Sequence, residues 1–282
     1  MKLVSAEFNR GAGLGNKLFP WARAKIFSKT NGCMMLRTKW FSPHGGAITR
    51  GGIDYAKALQ KIWLLRNFKS VQGEISNLKL LLPRYRNLPI HYAQRLVDIP
   101  DGDGHLIFKW NTYHDFIDFK GYQNLLIKEI YKMTNMSQIS FADQYNGYDF
   151  IGMNIRCGRD FVTRESGLKG YVKTELDWFC QALKDIRKKY GNMPAVVVSD
   201  GGEKQLRSLL KEQDVYLLKS KTAIADLLVL TKAKVLLGSG NSTFSAWASF
   251  LGQMDTYSSV DTPFKHAGLE DGRNGAKIVG AI

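Results

Sequence analysis

Val235-Leu236-Leu237-Gly238-Ser239-Gly240-Asn241-Ser242-Thr243-Phe244-Ser245-Ala246-Trp247-Ala248 is the stretch on which the fold turns. Its apolar opening is too short for a helix and reads as a buried strand. A turn of glycines and hydroxyls follows. From Ser242 to Leu251 the apolar residues Phe244, Trp247, Ala248 and Leu251 return at helical spacing. Strand, tight turn and helix form the repeating unit of an α/β sheet, and the pattern continues upstream. Thr222 caps a helix running through Leu230, preceded by a strand at Val215–Leu218. Glu203–Glu212 reads as a helix and Ala195–Ser199 as a strand. Thr174 reads as the cap of a helix that has Asp177 in its first turn and stops at Gly191. Phe150–Ile155 is a further apolar strand. Such alternation with short connections predicts a parallel sheet covered on both faces.

The first half is less regular. Leu3–Phe8 reads as a strand, followed by the turn Gly11-Ala12-Gly13-Leu14-Gly15-Asn16 and a helix over Lys17–Ser28. Cys33–Arg37 and Leu106–Trp110 read as strands, and Asp54–Phe68 and Phe119–Met133 as helices. Phe41–Gly52, rich in glycine, reads as a long loop of the kind that carries function. Met136–Gly147 is polar and ends in the turn signal Asn146-Gly147, which sets a boundary between domains 1–147 and 148–282.

Composition narrows the classes. With 44% hydrophobic and 12% aromatic residues among 282, the chain fills real cores, which excludes long disorder. No run of about 18 apolar residues is present. Three scattered cysteines, Cys33, Cys157 and Cys180, lack metal-ligand spacing and suit a reducing, cytoplasmic setting. The net charge of +15 suits an anionic partner: a nucleotide, a nucleic acid or a membrane surface.

In an open parallel sheet, ligands bind beyond the carboxyl ends of the strands. There the sequence sets Arg156-Cys157-Gly158-Arg159-Asp160 after the first strand of the second half. Ser199-Asp200-Gly201-Gly202 follows the next, and Gly238–Thr243 follows a third. Arg156 forks two hydrogen bonds onto phosphate oxygens. The Gly238–Thr243 turn opens a helix whose free N–H groups and dipole favour an anion, and Ser242 and Thr243 add hydroxyls. Asp200 suits a ribose hydroxyl. Singly, Ser242 or Asn241 also reads as a helix cap, Asp200 as a turn residue and Arg156 as a surface ion-pair partner; their shared rim favours a nucleotide diphosphate. The Gly11–Asn16 turn lacks the spacing of a dinucleotide fingerprint and of a P-loop.

These residues resemble a known group. Gly13-Leu14-Gly15-Asn16-Lys17-Leu18-Phe19 resembles the GLGNQLF opening of bacterial α-1,2-fucosyltransferases. Asn154 through Phe161 is similar to their H-x-R-x-G-D segment and to that of protein O-fucosyltransferases. Val198-Ser199-Asp200 resembles a strand-end S/T-D motif, and Asp226 with Asn241 through Trp247 resembles the D…NSSFSWW block. Asn154 stands for the motif histidine, Cys157 for its second arginine and Lys17 for its glutamine. The resemblance implies two Rossmann-like domains facing a cleft, the GT-B type. It implies inverting transfer of fucose from GDP-fucose to a glycan hydroxyl, with no metal and no further cofactor. Arg156 then grips the pyrophosphate, Ser242 and Thr243 bond phosphate oxygens, Asp226 reads the guanine edge, and Asn16 with Gly13 and Gly15 reaches across from the first domain. Asn154, Ser199, Asp200 and Asn241 complete the donor site, and Asp160 is the candidate base, with Glu165 a second by position. The implied setting is bacterial surface polysaccharide synthesis in the cytoplasm, with no nucleic-acid partner; the charge of +15 separately suits peripheral contact at an anionic inner membrane face. The rival readings are transfer from another GDP-sugar, and a non-catalytic basic nucleic-acid-binding or scaffold protein on the same fold.

Overall fold

Short apolar strands, buried on both faces in the second half of the chain, give two all-parallel sheets. The computed structural model describes residues 2–9, 12–40, 68–69, 71, 74–110, 116–158, 161–162, 171–220, 222–263, 266, 268–269 and 278–281. The expected loop Phe41–Gly52 lies outside them, as does the expected helix Asp54–Phe68 except for Phe68, which forms an isolated bridge with Thr134.

The first sheet comprises β1 (Leu3–Glu7), β2 (Met34–Leu36), β3 (Glu74–Ile75), β4 (Ile90–Ala93) and β5 (His105–Lys109), in the order β3-β2-β1-β5-β4. Two strands, β7 (Phe161–Val162) and β8 (Tyr171–Val172), pair separately. The second sheet holds β6 (Ile151–Ile155), β9 (Ala195–Ser199), β10 (Val215–Leu217), β11 (Val235–Gly238), β12 (Asp255–Ser258) and β13 (Ile278–Ala281), in the order β10-β9-β6-β11-β12-β13. The short or half-exposed strands β3 and β4 carry too little apolar alternation to be read from sequence.

Helix α1 (Leu14–Asn31) is buried on all sides from Gly15 to Phe27, except at Asn16. It lies between the first sheet and the helices of the second half, so its charged side chains need buried partners. Arg23 Nε donates to Asp118 Oδ2 at 2.7 Å, and Lys25 Nζ to Glu74 Oε1 at 2.7 Å. Beyond a four-residue helix α2 (Pro83–Arg86), α3 (Gln123–Met133) and α4 (Met136–Asp143) lead into the second sheet. The polar stretch 136–147 is largely helical, and its turn comes at Gly147, with φ +77°.

The second sheet is flanked by α5 (Leu176–Tyr190) on one face and by α6 (Ala223–Leu230) and α7 (Thr243–Gly252) on the other. Ile151, Met153 and Ile155 of β6 meet Phe179, Leu183 and Ile186 of α5. The opposite face joins the first sheet in one continuous core. At its centre Trp247 packs edge-on against Phe19 and Phe116, with ring centroids 5.1 and 5.0 Å apart. Among the described residues no helix is long and apolar enough to cross a membrane.

Two local expectations change. Glu203–Glu212 forms successive turns ending in a 3-10 helix at Leu209–Lys211, which still bury Leu206 and Leu209. Thr174 does not cap α5, whose cap is Glu175 without a side-chain bond. The Thr174 hydroxyl is taken by a tertiary partner, Thr262 Oγ1, at 2.6 Å. Thr222 does cap α6: its Oγ1 accepts from the Ala225 N–H at 3.3 Å and donates to Gln138 Oε1 of α4 at 2.7 Å. Thr222→Ala is expected to cost about 1–2 kcal/mol in urea unfolding, since a cap and a link between α4 and α6 go together.

Candidate active site

Because the second sheet is all parallel, its carboxyl ends form one rim. Beyond β6, the Arg156 N–H donates to Ser239 Oγ at 3.0 Å. The Arg156 guanidinium lies 3.0 Å from Asp200 Oδ2, beyond β9, and over the Phe161 ring at 4.9 Å. Asp200 Oδ1 accepts from the Cys157 N–H at 2.6 Å. One carboxylate thus ties the β6 and β9 turns together and aims the partly exposed arginine. Gly201 permits the approach, since a Cβ there would stand 2.8 Å from Cys157 Cβ. Burial pushes the Cys157 thiol up, so it stays protonated at neutral pH.

Beyond β11 the chain turns through Asn241, whose φ of +57° is left-handed, into the cap residue Ser242. Ser242 Oγ accepts from the Ser245 N–H at 3.4 Å and from Asn154 Nδ2 at 3.1 Å. Asn154 Nδ2 also donates to Ser245 Oγ at 2.6 Å. The buried Asn154 therefore lies beneath the start of α7 and fixes it. Ser199 is likewise engaged, donating to the Ile155 carbonyl at 2.8 Å and accepting from the Gly201 N–H at 2.9 Å.

The glycine-rich turn of the first half arrives at the same place. Gly13 caps α1, Gly15 lies in its first turn, and Asn16 Oδ1 accepts from Thr243 Oγ1 at 2.6 Å. A Cβ on Gly15 would stand 2.7 Å from Thr243 Oγ1 and 2.8 Å from the Phe244 nitrogen. The amino ends of α1 and α7 thus touch, and neither has an acidic residue in its first turn. Two positive helix ends brought together favour an anion between or above them. Next to Asn16, burial lowers the pKa of Lys17, whose ammonium donates to the Trp40 carbonyl at 2.8 Å.

Asp226 lies in the first turn of α6, beyond β10, at the far end of the rim. Burial pushes its carboxyl up to about 6, against a hydrogen bond from Ser220. In the rim order β11, β6, β9, β10, the strand that precedes its helix is the edge strand, three places from β11. Asp160, Arg159 and Glu165 lie outside the described residues.

Sequence reading gave no site role to Ser239, Ser245, Thr174 or Thr262. Ser239 accepts from the Arg156 backbone and Ser245 from Asn154. Thr262 has no local signal: its carbonyl meets Gly240 so closely that a Cβ there would lie 1.7 Å from the oxygen.

The model of glycosyl transferase family 11 matches residues 77–268. The match takes in part of the first half where no motif is visible and leaves out the Gly13–Phe19 block. No curated protein matches the chain. Among solved structures, the fucosyltransferase NodZ from Bradyrhizobium is similar over 94% of this chain and 97% of its own, at 12% identity and a TM-score of 0.59. A crystal of NodZ α-1,6-fucosyltransferase soaked with GDP-fucose is similar over 93% and 97%, at 12% identity and a TM-score of 0.56. The likeness to NodZ is one of fold, and it supports the GT-B type expected from sequence. With more than half its length matched, the chain belongs to glycosyl transferase family 11 and is a glycosyltransferase.

Proposed function

We propose that this protein transfers fucose from GDP-fucose to a glycan hydroxyl with inversion at the sugar carbon. The reading rests on one observation: the order of groups along the rim is the order of parts in a nucleoside diphosphate. Helix ends and Arg156 stand beyond β11 and β6, a hydroxyl acceptor, Asp200, stands beyond β9, and a base-edge acceptor, Asp226, lies in the first turn of the helix that follows β10. Pyrophosphate, ribose and guanine fit that sequence of sites. The NodZ structures, one soaked with GDP-fucose, support the choice of donor.

In the proposed step an acceptor hydroxyl oxygen forms a bond to the sugar C1 as the bond from C1 to the β-phosphate oxygen breaks. The hydroxyl proton passes to a base, for which Asp160 is the candidate by position. Arg156 and the paired amino ends of α1 and α7 stabilise the charge gathering on GDP, a task that positive protein groups perform without a metal. Asn154 and Ser199 act as positioning residues, holding the turns. We assign donor binding to 148–282 and the acceptor side to 1–147. The setting we infer is polysaccharide synthesis in a bacterial cytoplasm, with the acceptor carried at the inner membrane face.

A thermal-shift panel tests the reading. GDP and GDP-fucose are expected to raise Tm with or without EDTA, while UDP and ADP do not. A ligand at a hundred times its Kd adds about 2.7 kcal/mol. A response to GDP-mannose alone points to another GDP-sugar, and no response to any nucleotide sinks the reading.

Asp226 adds a pH signature. Its carboxyl is harder to ionise in the fold than in the unfolded chain, where the pKa is about 3.9. The free protein therefore holds this contribution to stability at low pH and loses it as pH rises through about 6. Guanine, donating two N–H groups, binds the ionised form. GDP affinity is expected to fall below pH 6 in wild type, and Asp226→Asn to bind weakly with a flat profile in calorimetric titration.

A further inference from the structure

We propose that the outer face of the first sheet seats the protein on an anionic membrane surface through Leu78, Leu81 and Leu82 and the basic side chains Lys79, Arg84 and Arg86. The purpose of that contact, presenting the site to a membrane-carried acceptor, rests on the functional reading above; the contact itself does not.

The connection from β3 to β4 crosses the sheet face opposite α1. It consists of a 3-10 helix, Asn77–Leu81, and α2. Tyr85, Leu80 and Leu88 turn inward and pack with Leu3, Leu36 and Ile75. Positions three apart on a 3-10 helix eclipse one another, so Leu78 and Leu81 share a ridge. Each is 74% exposed, and the adjoining Leu82 is 43% exposed. Lys79, Arg84 and Arg86 are exposed around them, and the Arg84 guanidinium lies 4.6 Å over the Tyr85 ring. From Ile75 to Val97 the sequence contains no Asp or Glu.

Apolar side chains ringed by fixed positive charge match an anionic lipid interface, where leucines enter the acyl boundary and the cations meet headgroups. A second copy fits poorly, because the patch and the chain carry the same sign, +15 overall. The 3-10 helix follows the carboxyl end of β3, where Asn77 Nδ2 donates to the Arg37 carbonyl at 2.8 Å. Docking there leaves the α1–α7 junction, on the other face, open.

The test is co-sedimentation of the full chain with phosphatidylcholine vesicles, with and without phosphatidylglycerol. Wild type is expected to bind only the anionic vesicles, and less tightly as salt rises. Leu78→Ser with Leu81→Ser, and separately Lys79→Glu with Arg86→Glu, are each expected to weaken binding by about tenfold or more. All these residues are exposed, and an unchanged Tm for both double variants checks that the fold is intact. Equal binding to neutral vesicles, or full binding by either double variant, overturns the proposal. So does wild-type self-association that the serine pair abolishes. The Tm rise with GDP is measured alongside: its absence in wild type tells against the donor reading alone, and its persistence in vesicle-blind variants separates the two functions.

Discussion

Arg156→Ala is expected to lower turnover by about 10²–10³-fold, the usual effect of removing one donor from charge that develops in a transition state. The guanidinium is aimed rather than loose. Asp200 holds it at 3.0 Å, the Phe161 ring lies beneath it, and the backbone N–H of the same residue is fixed on Ser239. Folding depends little on this side chain, which lies at the rim with 23% of its surface exposed, and its removal leaves Asp200 still accepting from the Cys157 N–H. The variant should therefore melt close to wild type while GDP-fucose consumption collapses. Arg156→Lys keeps the charge but not the planar fork, so it is expected to recover only part of the rate. Asp200→Asn separates aiming from charge: it leaves Arg156 present but less constrained, and a smaller loss in kcat is expected. Near-normal turnover by Arg156→Ala sinks the assignment of Arg156 to the pyrophosphate.

Much of this rim is legible in the sequence, for a physical reason. Buried parallel strands are apolar runs, and the chain must leave each at its carboxyl end. Locating Ile151–Ile155, Ala195–Ser199 and Val235–Gly238 therefore locates Arg156, Asp200 and Ser242. The first half resists the same reading. Strand β3 has two residues, and β4 carries Ile90 and Tyr92 on its exposed side, so neither shows a buried alternation. Helix α1 is buried nearly all round and keeps Arg23 and Lys25 inside, which hides its faces from any periodicity argument. Thr174 shows the converse error: a residue with a good local role was claimed by Thr262, distant in sequence. The contact between α1 and α7 is of this long-range kind. Nothing in Gly13-Leu14-Gly15-Asn16 says what those glycines must touch.

Gly15→Ala tests that contact most sharply, because local and tertiary physics predict opposite signs. Gly15 is helical, and in a free helix alanine is favoured over glycine by about 0.5–1 kcal/mol. In the fold, the added Cβ would stand 2.7 Å from Thr243 Oγ1, 2.8 Å from the Phe244 nitrogen and 2.9 Å from the Thr243 carbonyl carbon. Two of those three atoms are backbone at the start of α7, so no rotamer change relieves the overlap. One helix end must back away from the other. Overpacking of this kind costs about 1–3 kcal/mol, so Tm is expected to fall although helix propensity improves. The same displacement breaks the bond from Thr243 to Asn16 and parts the two positive helix ends. GDP affinity is then expected to fall by about tenfold or more, since each helix end favours an anion only within its own first turn. Thr243→Ala is the companion measurement. It removes the hydroxyl and one of the three overlaps but leaves the backbone where it is, so it should weaken GDP binding less than Gly15→Ala and fail to rescue it in the double variant. A Gly15→Ala protein that melts higher than wild type and binds GDP normally would mean that the two helix ends do not meet, and that Arg156 holds the pyrophosphate without them.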